Sequence, residues 1–230
     1  MDEIQPYLDT LPDTVTDNIE VVTPDTLDQK LLYHISMTKG VRFSPVVSQR
    51  TMNKENRSIP RVSVSSSLLG CILGYMKDDW DYTEPIDRNG YRGGWYIYGF
   101  AYDYAVRPNK KLLPDGKLTD ELWLVPYNKD QWTLDPEIVG KFFYLNLNIE
   151  NREGKVYVGR RVVVENSQPL RLNAKTVLSP GYWLFTLDPF HYKDSVKQVT
   201  LSNMEKLTHT QYKEYKKINA SLLSVASQHW

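Results

Sequence analysis

The chain has 230 residues, 28 Lys plus Arg against 28 Asp plus Glu, 41% hydrophobic residues and a single cysteine. Balanced charge argues against a strongly basic nucleic-acid binder, and one cysteine excludes an intrachain disulfide and a Cys-rich zinc site. No run approaches the roughly 18 apolar residues of a membrane span, and the acidic start carries no apolar secretory segment, so the expected setting is a reducing cytoplasm without membrane contact.

Residues 1–30 hold eight acidic side chains and one basic one, Lys30, interrupted by Pro6, Pro12 and Pro24. That composition predicts an extended, partly ordered acidic arm. Residues 31–36, Leu-Leu-Tyr-His-Ile-Ser, are a short apolar run that reads as a strand carrying His34. Residues 44–61 read as a loop made basic by Arg50, Lys54, Arg57 and Arg61. Residues 61–65 alternate as a strand and pass through further serines into a helix expected over about 66–77. Its apolar face is Leu68, Leu69, Ile72, Leu73 and Met76, and Ser66 or Ser67 supplies the cap. Gly70 and Gly74 each cost about 1 kcal/mol of helix propensity, which points to a close approach of this helix to a strand.

After a polar segment, residues 95–106 read as one strand rich in Trp and Tyr. A turn at Pro114-Asp115-Gly116 precedes a short strand over 121–125. Residues 141–149 and 155–165 predict a hairpin, and 182–187 one more strand. Near the end, Met204, Leu207, Gln211, Tyr215, Ile218, Leu222 and Val225 fall at spacings of three and four. They predict an amphipathic helix over about 203–227, which either docks on the body or pairs with a second chain. The expected class is α+β, with mainly antiparallel, strongly curved sheet packed as a single domain over 31–200. The acidic arm lies before it and a terminal helical segment over 201–230 after it.

The chemistry-bearing residues are few. There is no Walker-type loop, no GxGxxG opening a helix and no His-x-x-x-His pair, so no metal site is predicted. Cys71 falls on the apolar side of the early helix and reads as an inert thiol. Three motifs remain: Leu31-Leu-Tyr-His-Ile-Ser36, Arg61-Val-Ser-Val-Ser-Ser-Ser67 and Leu118-Thr-Asp-Glu-Leu-Trp-Leu124. Their order over residues 31–125 resembles the ADP-ribosyltransferase-like fold. There a first strand bears His or Arg, a second bears Ser-x-Ser before a helix, and a third presents a glutamate. The stretch is also similar to small uncharacterised tailed-phage proteins with a Tyr-His-x-Ser start and a Gly-Cys helix. The resemblance implies NAD as cofactor, with Glu121 beside the oxocarbenium-like ribose and His34 on the adenosine-side ribose. It also implies Ser63 and Ser65 as pocket braces, and Tyr75 or Tyr98 as a stacking partner for nicotinamide. Arg50 and Arg61 would meet the pyrophosphate, since guanidinium groups recognise it well. Ile35 and Thr119 stand where the family usually has Gly and Gln or Glu.

Three functions follow from these features. The first is a phage-type binding or host-takeover protein that engages single-stranded nucleic acid or a host protein. Its surface would combine Tyr96 and Tyr98 with Arg50, Arg57, Arg61 and Arg92, an aromatic platform beside positive charge. The second is an NAD-using enzyme of the ADP-ribosyltransferase type with His34, Ser65 and Glu121 around one pocket. The third is a structural or assembly protein that forms homo-oligomers through residues 203–227. Purely structural duties account for the same residues: a hydrogen-bonded core histidine, a serine face, and a charged strand edge.

Overall fold

The computed structural model describes residues 2–47, 56–76, 94–114, 116–128, 134–152, 155–187 and 201–226. Short helices α1 (Gln5–Leu8) and α2 (Asp13–Thr16) lead to strand β1 (Ile19–Val22) and the one-turn α3 (Pro24–Leu27). Strands β2 (Leu31–Ser36) and β3 (Val62–Ser65) precede helix α4 (Leu68–Met76). Then come β4 (Trp95–Ala101), β5 (Ala105–Pro108), α5 (Gly116–Thr119) and β6 (Glu121–Leu124). The second half is a long pair, β7 (Glu137–Arg152) and β8 (Lys155–Asn166), then β9 (Leu170–Asn173), β10 (Thr176–Leu178), β11 (Gly181–Leu187), β12 (Leu201–Leu207) and α6 (His209–Ala226).

Among the described residues, ten strands make one sheet in the order β1-β5-β6-β3-β2-β4-β7-β8-β11-β12, and β9 pairs with β10. Every pairing among the described residues is antiparallel. The α+β class and antiparallel character are therefore as expected. The strong curvature is not: the sheet is open, neither strongly curled nor closed, and β1 and β12 are its two edges.

Alternation along the strands sorts side chains onto two faces. Tyr33, Ile35, Ile97, Phe142 and Val164 lie on one, beneath α4 and the β9–β10 hairpin, where Leu68, Ile72, Leu170, Leu172 and Leu178 complete a core. Toward β1 the same face carries Val106 and Trp123 under α1 and α2. Leu32, Tyr98, Phe100, Val64 and Leu122 lie on the other face against Phe43. Farther along that face, Phe143, Val163 and Leu184 meet Tyr212 of α6. Fully burying a Leu, Ile or Phe contributes roughly 1.5–3 kcal/mol, so both faces stabilise the sheet.

Several expectations are corrected. Residues 1–30 are not an extended, partly ordered acidic arm: Ile4, Val15 and Val22 are buried, and β1 pairs with β5. Composition hides this because the acidic residues stay outside while a sparse apolar set turns inward. The strand expected over 95–106 breaks at 102–104, where the Tyr102 hydroxyl donates to the Gln29 carbonyl at 2.9 Å. The chain thereby leaves β2 and joins β1 and β6. The terminal helix does not begin at 203. Residues 201–207 pair with β11, so the sheet also runs through the expected boundary near 200. A capping box sets the helix start: Gln211 N–H donates to Thr208 Oγ1 at 3.3 Å, and Thr208 N–H to Gln211 Oε1 at 2.8 Å. The early helix begins at 68 rather than 66, because Ser67 takes the cap and accepts from Gly70 N–H at 3.0 Å. No helix among the described residues is long and apolar enough to cross a membrane.

Candidate functional site

The three motif strands lie side by side, β6-β3-β2. Ser65 stands opposite Tyr33 on one side and Glu121 on the other. Tyr33, Ser65 and Glu121 therefore share the face under α4. The Ser65 hydroxyl is buried and donates to the Thr119 carbonyl at 2.8 Å. It also accepts from Ser67 N–H at 3.2 Å. Ser67 in turn donates to an Asp120 carboxylate oxygen at 3.1 Å. Burial pushes the Asp120 carboxyl above its usual range, against the Ser67 hydrogen bond and the Arg107 charge. Glu121 accepts from the Trp123 indole at 3.0 Å.

The helix comes as close here as its glycines predict. A Cβ on Gly70 would lie 2.1 Å from the Thr119 carbonyl oxygen and 2.2 Å from Ser65 Oγ. Cys71 donates its thiol to the Tyr33 carbonyl at 3.1 Å, and burial drives its ionisation far upward, so the thiol stays protonated.

His34 is one residue along β2 from Tyr33, so it points to the opposite face. There its ring meets Phe43 edge-on at 5.0 Å, and Phe43 meets Tyr98 at 5.1 Å. His34 Nδ1–H donates to the Ser63 carbonyl at 2.8 Å, which fixes the Nδ1-protonated tautomer. Burial lowers the His34 pKa, and the bond to Ser63 opposes that shift only in part. The sheet thus separates the imidazole from the Ser65 hydroxyl and the Glu121 carboxylate. The single pocket expected for His34, Ser65 and Glu121 is not formed, and this arrangement does not fit NAD held between them.

The expected binding surface is also altered. Tyr98 is buried; its hydroxyl donates to the Thr38 carbonyl at 2.7 Å and accepts from Val41 N–H at 3.4 Å. Arg61 is buried too, its guanidinium 4.3 Å from the centre of the Trp123 ring. It donates to the carbonyls of Asn56 at 3.0 Å and Ile59 at 3.3 Å, pinning the end of the preceding loop. Tyr96 is half-buried under Lys141, whose Nζ lies 5.3 Å from its ring centre. Arg57 is exposed. Arg50, Arg92 and the Tyr75 side chain lie outside the described residues. Among the described residues, no group of three or more His, Cys, Asp or Glu is placed to hold a metal ion.

Two surfaces lie away from this centre. Helix α6 rests on the sheet through its first two turns. Tyr212 stacks on Tyr182 at 4.3 Å and donates to Glu165 at 2.6 Å, and Arg161 donates to the Tyr215 hydroxyl at 3.5 Å. The helix then continues, and Ile218 is 47% exposed. Beside β1, a groove of about 380 Å³ has Leu8, Leu11, Ile19, Val21, Asp9 and Asp13 among its lining residues. Sequence reasoning missed this groove. It missed Thr119 and Asp120 as partners of the serines, for which local sequence offers no signal. No family model, curated protein or solved structure matches the chain.

Proposed function

We propose that this chain is a protein-binding assembly module that joins copies of itself through helix α6. The observation that supports it is the helix's unequal packing. Tyr212 and Tyr215 anchor the start, whereas Ile218 is exposed on regular helix that runs to Ala226. The sequence continues the apolar spacing with Leu222 and Val225. A helix that extends an apolar stripe past its own docking site suits recognition by another protein, which buries such stripes in a groove. The test is light scattering of the full chain and of Ile218→Asp over a concentration series. Mass rising with concentration for the wild type and not for the variant is the expected outcome. A wild type that stays at the 26.8 kDa of one chain at every concentration contradicts the reading.

The nucleic-acid version of the binding reading has less behind it, because Tyr98 and Arg61 are consumed by the core. Salt-dependent binding of a short oligonucleotide, weakened by Arg57→Ala and Tyr96→Ala, is the result that would revive it.

ADP-ribosyl transfer is a second reading, favoured by one observation: the three motif strands are neighbours, with Ser65 directly across from Glu121. Against it stands the position of His34. Release of nicotinamide from NAD by the wild type, abolished in Glu121→Gln, would establish it. An equal background in both proteins would remove it.

A further inference from the structure

The outer side of β1 is an unused sheet edge. Asn109 N–H donates to the Asn18 carbonyl at 2.9 Å, which makes Asn18 and Asn109 a hydrogen-bonded pair. Such pairs alternate along an antiparallel ladder, so Glu20 with Arg107 and Val22 with Ala105 are the next two. Ile19 lies opposite Pro108, which has no N–H to give, and Val21 lies opposite Val106. The N–H and C=O groups of Ile19 and Val21 therefore point away from β5, and among the described residues no strand pairs with them. Donors and acceptors at alternate residues of an edge are what an added strand uses.

The groove lies on that outer side. Its described lining comes from residues 5–21 and includes nothing from β5 or β6, although α1 and α2 also pack against Val106 and Trp123. Ile19 and Val21, whose backbone faces outward, also line the groove with their side chains. Around them the lining mixes aliphatic Leu8 and Leu11 with the carboxylates Asp9 and Asp13, and no basic side chain is among the described lining residues. Gln5 donates to one Asp9 oxygen at 2.8 Å and steadies that carboxylate. A mixed lining of this kind suits lysine or arginine, which lay an aliphatic stem on apolar surface and carry the charge at its end. The surroundings have the same sign: all eight acidic residues of 1–30 are exposed, against one base, Lys30. That charge repels β1 of a second copy and attracts a cationic strand.

We infer that β1 accepts an extended, lysine- or arginine-bearing segment of another protein as an eleventh strand of the sheet. Alternate residues of that segment place cationic side chains in the groove, while its backbone bonds to Ile19 and Val21. Strand β1 has four residues, so the bound stretch is short. Main-chain bonds supply the affinity, and the groove selects the side chains. This edge is at the opposite end of the sheet from β12 and the helix that follows it, and the inference does not rest on the assembly reading.

The test is hydrogen exchange of the full chain, read by mass spectrometry, with a capped peptide of about six residues that alternates lysine and valine. Saturating peptide should slow exchange of the Ile19 and Val21 amides by at least about tenfold and leave the amides of β12 unchanged. Two further peptides carry N-methyl groups on alternate amides, one in each phase. One should bind as the parent does and the other should lose binding, because an added strand turns only alternate amides toward β1. Asp9→Asn with Asp13→Asn should weaken the parent peptide about tenfold. Both positions are exposed, and asparagine keeps an acceptor for Gln5, so the fold is retained. Ile218→Asp should bind the peptide as the wild type does; a loss there would place the peptide on α6 and overturn the inference. No protection of Ile19 and Val21 at about 1 mM peptide would also overturn it. Equal binding of the two methylated peptides would do the same, since side chains alone would then make the contact. So would equal binding of a peptide that alternates glutamate and valine. Protection that appears without peptide and rises with the protein's own concentration would give the edge to a second copy and end the proposal.

Discussion

The corner formed by β3, α4 and β6 and the outer half of α6 differ in how far their side chains are occupied by the protein's own partners. In the corner, Ser65, Ser67 and Asp120 bond one another and the Thr119 carbonyl within a few ångströms. Gly70 lets the helix backbone press against that carbonyl. On α6, beyond Tyr215, the side chains described as far as Ser221 are exposed or at most half-buried. A polar cluster so occupied with its own partners holds a structure together. A regular element left uncovered has side chains free for the contact proposed above. The motif-bearing corner thus explains stability, and the helix that carries no motif is the element on which the proposed assembly rests.

This contrast is open to attack by substitution. The largest expected effect is Gly70→Ala, because a Cβ 2.1 Å from a backbone oxygen forces the helix off the sheet. The cost should be about 3 kcal/mol, a fall in Tm of roughly 6–12 °C for a chain of this size. A melting curve unchanged from the wild type would show that the corner is looser than described. Ser65→Ala comes next. It leaves the buried Thr119 carbonyl without its donor and should cost about 1–3 kcal/mol in urea unfolding, with the m-value unchanged.

His34 sharpens the comparison through pH. Burial depresses its folded pKa, so the native state favours the neutral ring while the unfolded chain takes up a proton near the ordinary histidine value of about 6.5. Its contribution is fully present above that value and is lost as pH falls from there toward the folded pKa. His34→Asn keeps an N–H donor for the Ser63 carbonyl and does not titrate. Stability of the wild type should therefore drop more steeply below about pH 6.5 than that of the variant. Parallel curves would mean that His34 is solvated rather than buried. The smallest effect on stability belongs to Ile218→Asp, expected within about 0.5 kcal/mol of wild type because the site is exposed. The same substitution should abolish self-association. A large loss of stability there would show that the outer half of α6 packs on its own domain.

The fold was partly legible in the sequence, for identifiable reasons. Alternation marked β3 and β7, because half-buried antiparallel strands keep a period of two, and a short apolar run marked β2. The glycines of α4 correctly signalled a close approach. The start of α6 was misplaced because Met204 and Leu207 continue the three–four spacing by chance, while the Thr208–Gln211 capping box that ends the strand is a stronger physical signal. The opening 30 residues looked loose because counting acids does not weigh Ile4, Val15 and Val22, which anchor them. The candidate site was legible as a list and not as an arrangement. His34, Ser65 and Glu121 do lie on adjacent strands, but only the register shows that Tyr33, not His34, shares a face with the other two.

The most direct test of the assembly account is a lysine-reactive cross-link on a mixture of ¹⁴N- and ¹⁵N-labelled full-length chain, read by mass spectrometry. The account predicts cross-linked peptides that contain Lys213, Lys216 or Lys217 of α6, with one half labelled and the other not. Cross-links of α6 that carry a single label throughout would contradict it.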